Sequence, residues 1–241
     1  MNQKAILDSV KKLREISKER KFKQTIDIAM NLTQLDLKKN PDQKIDLFHK
    51  LPHNTGKKPK ICALVGKELE TKAKIFDKVI LNEEFGNLVK DKKALKKLAR
   101  EYDYFVAQAN LMADIGAKFG KVFAPIGKMP NPKAGCIVPP TADLEPLAKK
   151  LENTIRLVTK DKLCIKAIAG SEEMSDEDIA DNILTAYSAV VHGLPNEKGN
   201  FKSMFIKFTM SQPVEVTEKG PVLHHEVKEE VKKEWKQEYQ K

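Results

Sequence analysis

Ile61-Cys62-Ala63-Leu64-Val65 is a run of five apolar residues that follows directly on Leu51-Pro52-His53-Asn54-Thr55-Gly56-Lys57-Lys58-Pro59-Lys60. The polar segment carries two prolines, a glycine and three lysines, and it reads as a turn or hinge. The apolar run reads as a short buried strand. The rhythm of the chain changes here. A helix is expected over 68–76, a strand at Lys78-Val79-Ile80, a helix opening at Asn82-Glu83-Glu84 and continuing over 90–100, a strand at Tyr104-Phe105-Val106-Ala107, and a helix over 110–119 that ends near Gly120. Strands alternating with helices at this pace imply βαβ crossovers and a small, largely parallel sheet. A further helix over 147–151 closes the stretch.

Outside it the pattern differs. Ile6, Leu7, Val10, Leu13 and Ile16 recur at helical spacing and predict an amphipathic helix over 3–19. Residues 22–32 read as strand-like, 32–41 as a loop, and Ile45-Asp46-Leu47-Phe48 as a second extended piece. Thr154-Ile155-Arg156-Leu157-Val158 and Leu163-Cys164-Ile165-Lys166-Ala167-Ile168 read as a hairpin around Lys160-Asp161-Lys162. Ser175 caps a helix that runs to about His192 and stops at Gly193, with Asp178 at the reciprocal position. Residues 204–210 form a strand that Val214 and Val216 extend, and 226–241 read as a solvated helix or frayed end. Each outer part alone buries too little. Joined, they make an antiparallel α+β pair of layers. The expected architecture is a discontinuous α+β domain of residues 1–59 and 153–241, interrupted by an inserted three-layer α/β (Rossmann-like) domain of residues 60–152.

Composition narrows the function. A charged fraction of 32% and the lack of any long apolar run argue against a membrane protein. The formal charge is +10, which favours polyanionic partners such as nucleic acid or a phospholipid surface. Arginine occurs only at positions 14, 20, 100 and 156, so the basic surface is lysine and suits backbone neutralisation better than bidentate base reading. Cys62, Cys136 and Cys164 are scattered, without a CxxC pair, so neither a disulfide framework nor a zinc site is expected. The first residues lack the hydrophobic segment of a signal peptide.

Catalysis finds little support. His49, His53, His192, His224 and His225 belong to no HExxH motif or triad context, and His224-His225 reads as a polar surface pair. Val65-Gly66-Lys67 and Gly116, Gly120, Gly127 and Gly135 build neither GxGxxG nor GxxxxGK[ST]. Nucleic-acid binding gathers more. Lys21-Phe22-Lys23-Gln24-Thr25 sets an aromatic between two cations beside polar groups able to reach phosphate or ribose oxygens. Phe208-Thr209-Met210-Ser211-Gln212-Pro213 exposes hydroxyls at a strand end. Gly127-Lys128-Met129-Pro130-Asn131-Pro132-Lys133-Ala134-Gly135 cannot be helix or central strand, because proline lacks an amide donor; it reads as a stiff exposed loop carrying positive charge. An enzyme on the α/β insert, using a nucleotide, and a membrane-surface adaptor remain the alternative classes.

The last three stretches, with the hinge-side one, resemble the ribosomal protein L1 family of the large subunit's mobile L1 stalk, in its archaeal and eukaryotic form. Residues 127–135 are similar to the family signature, Leu51-Pro52-His53-Asn54-Thr55-Gly56-Lys57 to its LPH-x-x-GK segment, Lys21-Phe22 and Thr25 to its KFxxT start of the first strand, and Thr209-Met210 to its TMG motif. The resemblance implies two domains, the second inserted, and no enzyme activity, metal or cofactor. It implies a cytoplasmic protein of the large ribosomal subunit, monomeric off the ribosome, that binds the stalk rRNA and helps release exit-site tRNA. Archaeal relatives also repress translation by binding their own mRNA. RNA contact then falls to Lys21, Phe22, Lys23, Thr25, Lys166, Thr209, Met210 and Ser211. The signature loop of Gly127, Lys128, Met129, Pro130, Asn131, Pro132 and Lys133 would lean toward stalk or tRNA, with His53, Gly56 and Lys57 on the hinge side. Two positions depart from the family: Ile126 stands where an arginine is usual, and Ser211 where a glycine is.

Overall fold

A computed structural model describes residues 2–37, 39, 40, 43–159, 162–218 and 220–223. The His224-His225 pair, the 226–241 tail, Pro41 of the expected loop, and Lys160 and Asp161 of the expected hairpin turn lie outside the described residues. Lys58–Thr154 form one compact unit, and the described residues on either side form the other. Among the described residues the architecture is mixed α+β with three sheets.

In the unit made by the two chain ends, β1 (Thr25–Leu32) is the centre of a five-stranded sheet. It pairs antiparallel with β8 (Cys164–Ser171) on one side and β9 (Phe201–Phe208) on the other, and β10 (Val214–Thr217) and β11 (Gly220–Leu223) continue beyond β9. Alternation along β1 puts Ile26, Ile28, Met30 and Leu32 in the core and Thr25, Asp27, Ala29 and Asn31 on the opposite face, as a strand period of two requires. The core face is shared with α1 (Gln3–Ile16), through Ile6, Val10 and Leu13, and with α7 (Asp176–His192), through Ile179, Ile183, Ala186 and Val190. Ser175 caps α7, its hydroxyl accepting from Asp178 N at 3.1 Å.

The structure corrects three expectations for this unit. The 154–158 and 163–168 strands are no hairpin: β7 (Thr154–Val158) pairs with β2 (Asp46–Lys50), whereas β8 joins the large sheet. Lys160-Asp161-Lys162 lacks the Asn-Gly or Gly that a tight hairpin turn needs, and Arg156 holds β7 on β2 through two 2.9 Å bonds to the Asp46 carboxylate. Val214 and Val216 belong to a separate strand that folds back on β9, because Pro213 supplies no donor to extend the ladder. Helix α1 stops at Ile16 rather than 19, the chain turning extended at Ser17.

The other unit holds a four-stranded parallel sheet ordered β4 (Lys78–Leu81), β3 (Ile61–Val65), β5 (Tyr104–Gln108), β6 (Ile137–Val138). Helix α2 (Glu70–Ala73) is short. The expected helix over 82–100 is broken into α3 (Phe85–Lys90) and α4 (Lys92–Glu101), because the Asp91 carboxylate caps α4, accepting from Lys93 N and Ala94 N. Helix α5 (Met112–Ile126) does not end near Gly120. Its buried stripe of Ile115, Phe119 and Phe123 outweighs the two glycines, and it stops only at Gly127, whose φ of 74° no β-carbon-bearing residue adopts cheaply. There Gly127 N bonds Ala124 O and Lys128 N bonds Phe123 O, a Schellman ending. Helix α6 (Glu145–Glu152) leads back toward β7.

Asn182 on α7 is fully buried and holds the hinge-side segment. Its amide accepts from His53 N at 3.1 Å and donates to His53 O at 3.2 Å and Ala169 O at 2.9 Å. Asn182→Leu strands these backbone groups, so a loss of about 2–3 kcal/mol of unfolding free energy is expected in urea titration. An unchanged midpoint would refute the strut.

Candidate nucleic-acid interface

The end of the β1–β9 pair is built from the edges of two strands that the core already fixes. Ile26 pairs with Phe208, and one step further Thr209 N donates to Thr25 O at 3.1 Å. The Thr25 and Thr209 hydroxyls lie 3.0 Å apart, and the Thr209 oxygen also accepts from Thr25 N at 3.3 Å. The Thr209 hydroxyl donates either to Thr25 O, at 3.4 Å, or to the Thr25 hydroxyl, and the second arrangement leaves the Thr25 O–H to donate outward. Phe22 and Met210, in the adjoining segments, are 50% and 60% exposed.

Residues 22–25 are held from behind. The Gln24 side chain, 1% exposed, accepts from Met210 N at 3.3 Å, while Gln24 N donates to the Glu172 carboxylate and Glu172 N to Gln24 O. The 172–174 turn is in turn clamped by Arg14 of α1, which donates to Glu172 O, Met174 O and the Asp176 carboxylate. An open cleft beside Phe22 is lined by Glu19, Arg20, Lys21, Lys23, Glu172 and Glu173. Lys23 pairs with Glu173 at 2.6 Å in full solvent, a pair worth about 0–1 kcal/mol and easily exchanged for another anion.

Ser211, where the family has glycine, closes the turn by its own chemistry. Its hydroxyl accepts from Phe208 N at 2.8 Å, and its N–H donates to Phe208 O at 3.2 Å. Its φ is not positive, so the position makes no demand for glycine. Lys166 lies elsewhere: it sits on β8 opposite Ala29, four residues along β1 from Thr25, on the solvent-facing side of the sheet. Asp27 lies on the same side. Burial pushes its carboxyl up, against the pull of Lys207 and Lys166.

The signature loop is far more packed than its prolines and lysines suggest. Pro130 and Ala134 are buried, and Met129 packs on the aromatic core of Phe85, Phe105, Phe119 and Phe123. Lys128 Nζ donates to Asp103 O at 2.9 Å, so that cation serves the fold. The Asn131 side chain accepts from Lys133 N, and Cys136 O accepts from Ala107 N. The loop therefore starts beside Asp103, ahead of β5, and rejoins the sheet at Ala107, shielding the strand's open edge. Its exposed tip is Pro132 and Lys133. On the hinge side, His53 Nδ1 lies 3.4 Å from Asp178 and Lys57 is exposed. Gly56 has a φ of 77°, and a β-carbon there would meet Ser171 Cβ at 2.7 Å.

The described cysteines are not arranged for chemistry. Burial pushes the Cys62 thiol up to about 12 and the Cys136 thiol up to about 11, so neither is an activated nucleophile. Among the described residues, no cluster of three or more His, Cys, Asp or Glu could hold a metal ion, and no helix is long and apolar enough to cross a membrane.

An exposed hydroxyl and aromatic surface on a basic, two-unit α+β scaffold suits a structural nucleic-acid-binding protein. Comparison with known proteins makes this specific. The profile described as the Ribosomal protein L1p/L10e family matches residues 12–212. The large ribosomal subunit protein uL1 of Nanoarchaeum equitans is 40% identical over 215 residues, covering 87% of this chain and 98% of its own. That of Methanothermobacter thermautotrophicus is 37% identical over 216 residues, covering 89% and 99%. That of Pyrococcus abyssi is 37% identical over 213 residues, covering 88% and 94%. The chain belongs to the ribosomal protein L1p/L10e family, and so is a structural, RNA-binding ribosomal protein and not an enzyme.

Arg14 and Glu172 escaped the sequence reading because their partners lie about 150 to 160 positions away, and Gln24, expected among the polar groups that reach RNA, is instead buried, its carboxamide accepting from Met210 N. Gln24→Leu leaves Met210 N without its acceptor. A loss of about 1–2 kcal/mol and faster amide hydrogen exchange at Met210 are expected; unchanged exchange there would remove Gln24 from the scaffold.

Proposed function

We propose that this chain binds the L1 stalk rRNA of the large ribosomal subunit, in the cytoplasm, through the surface at the end of β1 and β9, and helps guide exit-site tRNA away. The observation that carries the reading is the solvent-facing Thr25–Thr209 hydroxyl pair beside exposed Phe22 and Met210. Two strands fix the hydroxyls in a geometry that suits ribose or phosphate oxygens, and Phe22 offers a flat face to a base or sugar. Lys21 and Lys23 supply attraction to the backbone, Ser211 fixes the turn, and Lys166 extends the positive surface along the sheet.

In this reading residues 1–59 and 153–241 form the RNA-binding domain. Residues 60–152 form an inserted, three-layer, Rossmann-like domain used as scaffold, whose Lys133 tip leans toward the stalk or passing tRNA. His53, Gly56 and Lys57 anchor the crossing. A messenger leader that imitates the stalk site would be bound by the same surface, which gives translational self-repression without a second site. The free protein acts as a monomer.

Thr209→Val and Phe22→Ala test the surface. Loss of a desolvated hydrogen bond or a stacked ring costs about 1–3 kcal/mol, so affinity for a stalk rRNA fragment at fixed salt should fall roughly 5- to 150-fold with the melting temperature little changed. Wild-type affinity in both variants would refute the proposed contact.

A further inference from the structure

Helix α4 is unlike the other amphipathic helices among the described residues. Lys92, Lys93, Lys96, Lys97 and Arg100 are all exposed, and at 3.6 residues per turn they share a sector of about 140° opposite the buried Leu95, Leu98 and Ala99. No acid interrupts the sector. Asp91 is used as the helix cap, and the ion pairs formed among the described residues involve none of the five cations. Residues 58–154 carry 18 basic and 12 acidic side chains, so without these five the unit is nearly neutral.

This arrangement works against the helix that carries it. Lys92–Lys96, Lys93–Lys97 and Lys96–Arg100 are repelling pairs at i, i+4, and Lys92 and Lys93 place positive charge at the positive end of the helix dipole. A merely solvated face mixes signs, as α1 does with Asp8 and Lys12 and α6 with Glu145 and Lys149. An external polyanion supplies the missing counter-charge.

We propose that the cationic face of α4 is a second RNA-binding surface, one that takes the phosphate backbone of double-helical RNA without reading its sequence. It rests on the reading of the chain as RNA-binding. Four of the five cations are lysines, point charges suited to phosphate rather than to bidentate base recognition. A lipid surface is the poorer fit: helices that lie on membranes insert an apolar face, and that of α4 is buried in its own unit, Leu95 being 2% exposed and Ala99 0%.

The test uses the full chain and a hairpin RNA unrelated to the stalk. A variant with glutamine at all five positions (K92Q, K93Q, K96Q, K97Q, R100Q) should bind this hairpin about tenfold more weakly or worse at ~50 mM salt. Its log–log salt slope should be shallower by about 2–3, for roughly three phosphates released at ~0.9 counterion each. Its melting temperature should hold or rise, since three repulsions are gone. Thr209→Val should leave hairpin binding intact while losing the stalk fragment. Equal hairpin affinity and slope in the five-fold variant would overturn the α4 surface, and the stalk reading would stand or fall by the Thr209 arm alone. Loss of binding to anionic phospholipid vesicles with hairpin binding unchanged would overturn it in favour of a membrane.

Discussion

Everything in the first unit depends on β1 finding both of its neighbours. They come from segments about 140 and 180 residues further along the chain, and the register is explicit: Ile28 faces Ala167 on one side and Ile206 on the other. A one-residue slip would turn Ile26, Ile28 and Met30 out of the core and Thr25 inward. The hydrophobic alternation of one eight-residue strand thus decides which side chains reach solvent at its end. Because closure entropy grows only slowly with loop length, an entire folded unit can be carried between the strands at modest cost.

The interface inherits its rigidity from this pairing. Thr25 and Thr209 are backbone neighbours before they are hydroxyl neighbours, and the polar relay from Arg14 through Glu172 and Gln24 to Met210 sets the turn behind them. Charge is distributed differently in the two units. In the first, basic and acidic groups mingle around Phe22; in the second, a single helix holds most of the excess. That division fits the two RNA surfaces proposed above, one geometric and one electrostatic.

Much of this was legible in the sequence where local chemistry decides. The apolar run 61–65, the Ser175 cap and the alternation of β1 all state their structures in adjacent residues. What local chemistry leaves open was misread. The 154–168 segment looks like a hairpin until β2 and β1 compete for its two strands, and the signature loop looks exposed until Met129 meets the phenylalanine cluster. At the interface, Phe22, Thr25, Thr209 and Met210 stood out as residue types, whereas the buried carboxamide of Gln24 could not, because its acceptor role exists only after a partner 186 positions away arrives.

The parallel sheet of the inserted unit has a consequence for the order in which this molecule can assemble during synthesis. All four of its strands lie between residues 61 and 138 and its last buried apolar residue is Leu151, so the whole unit is synthesised before β8 and β9. The nascent N-terminal strand, with its apolar row of Ile26, Ile28 and Met30, must wait for residues 201–208. At roughly 5–20 residues per second that delay lasts on the order of ten to thirty seconds. During it, the waiting strand is sticky merchandise for any chaperone at the exit tunnel, and the already finished insert separates it from newly made chain.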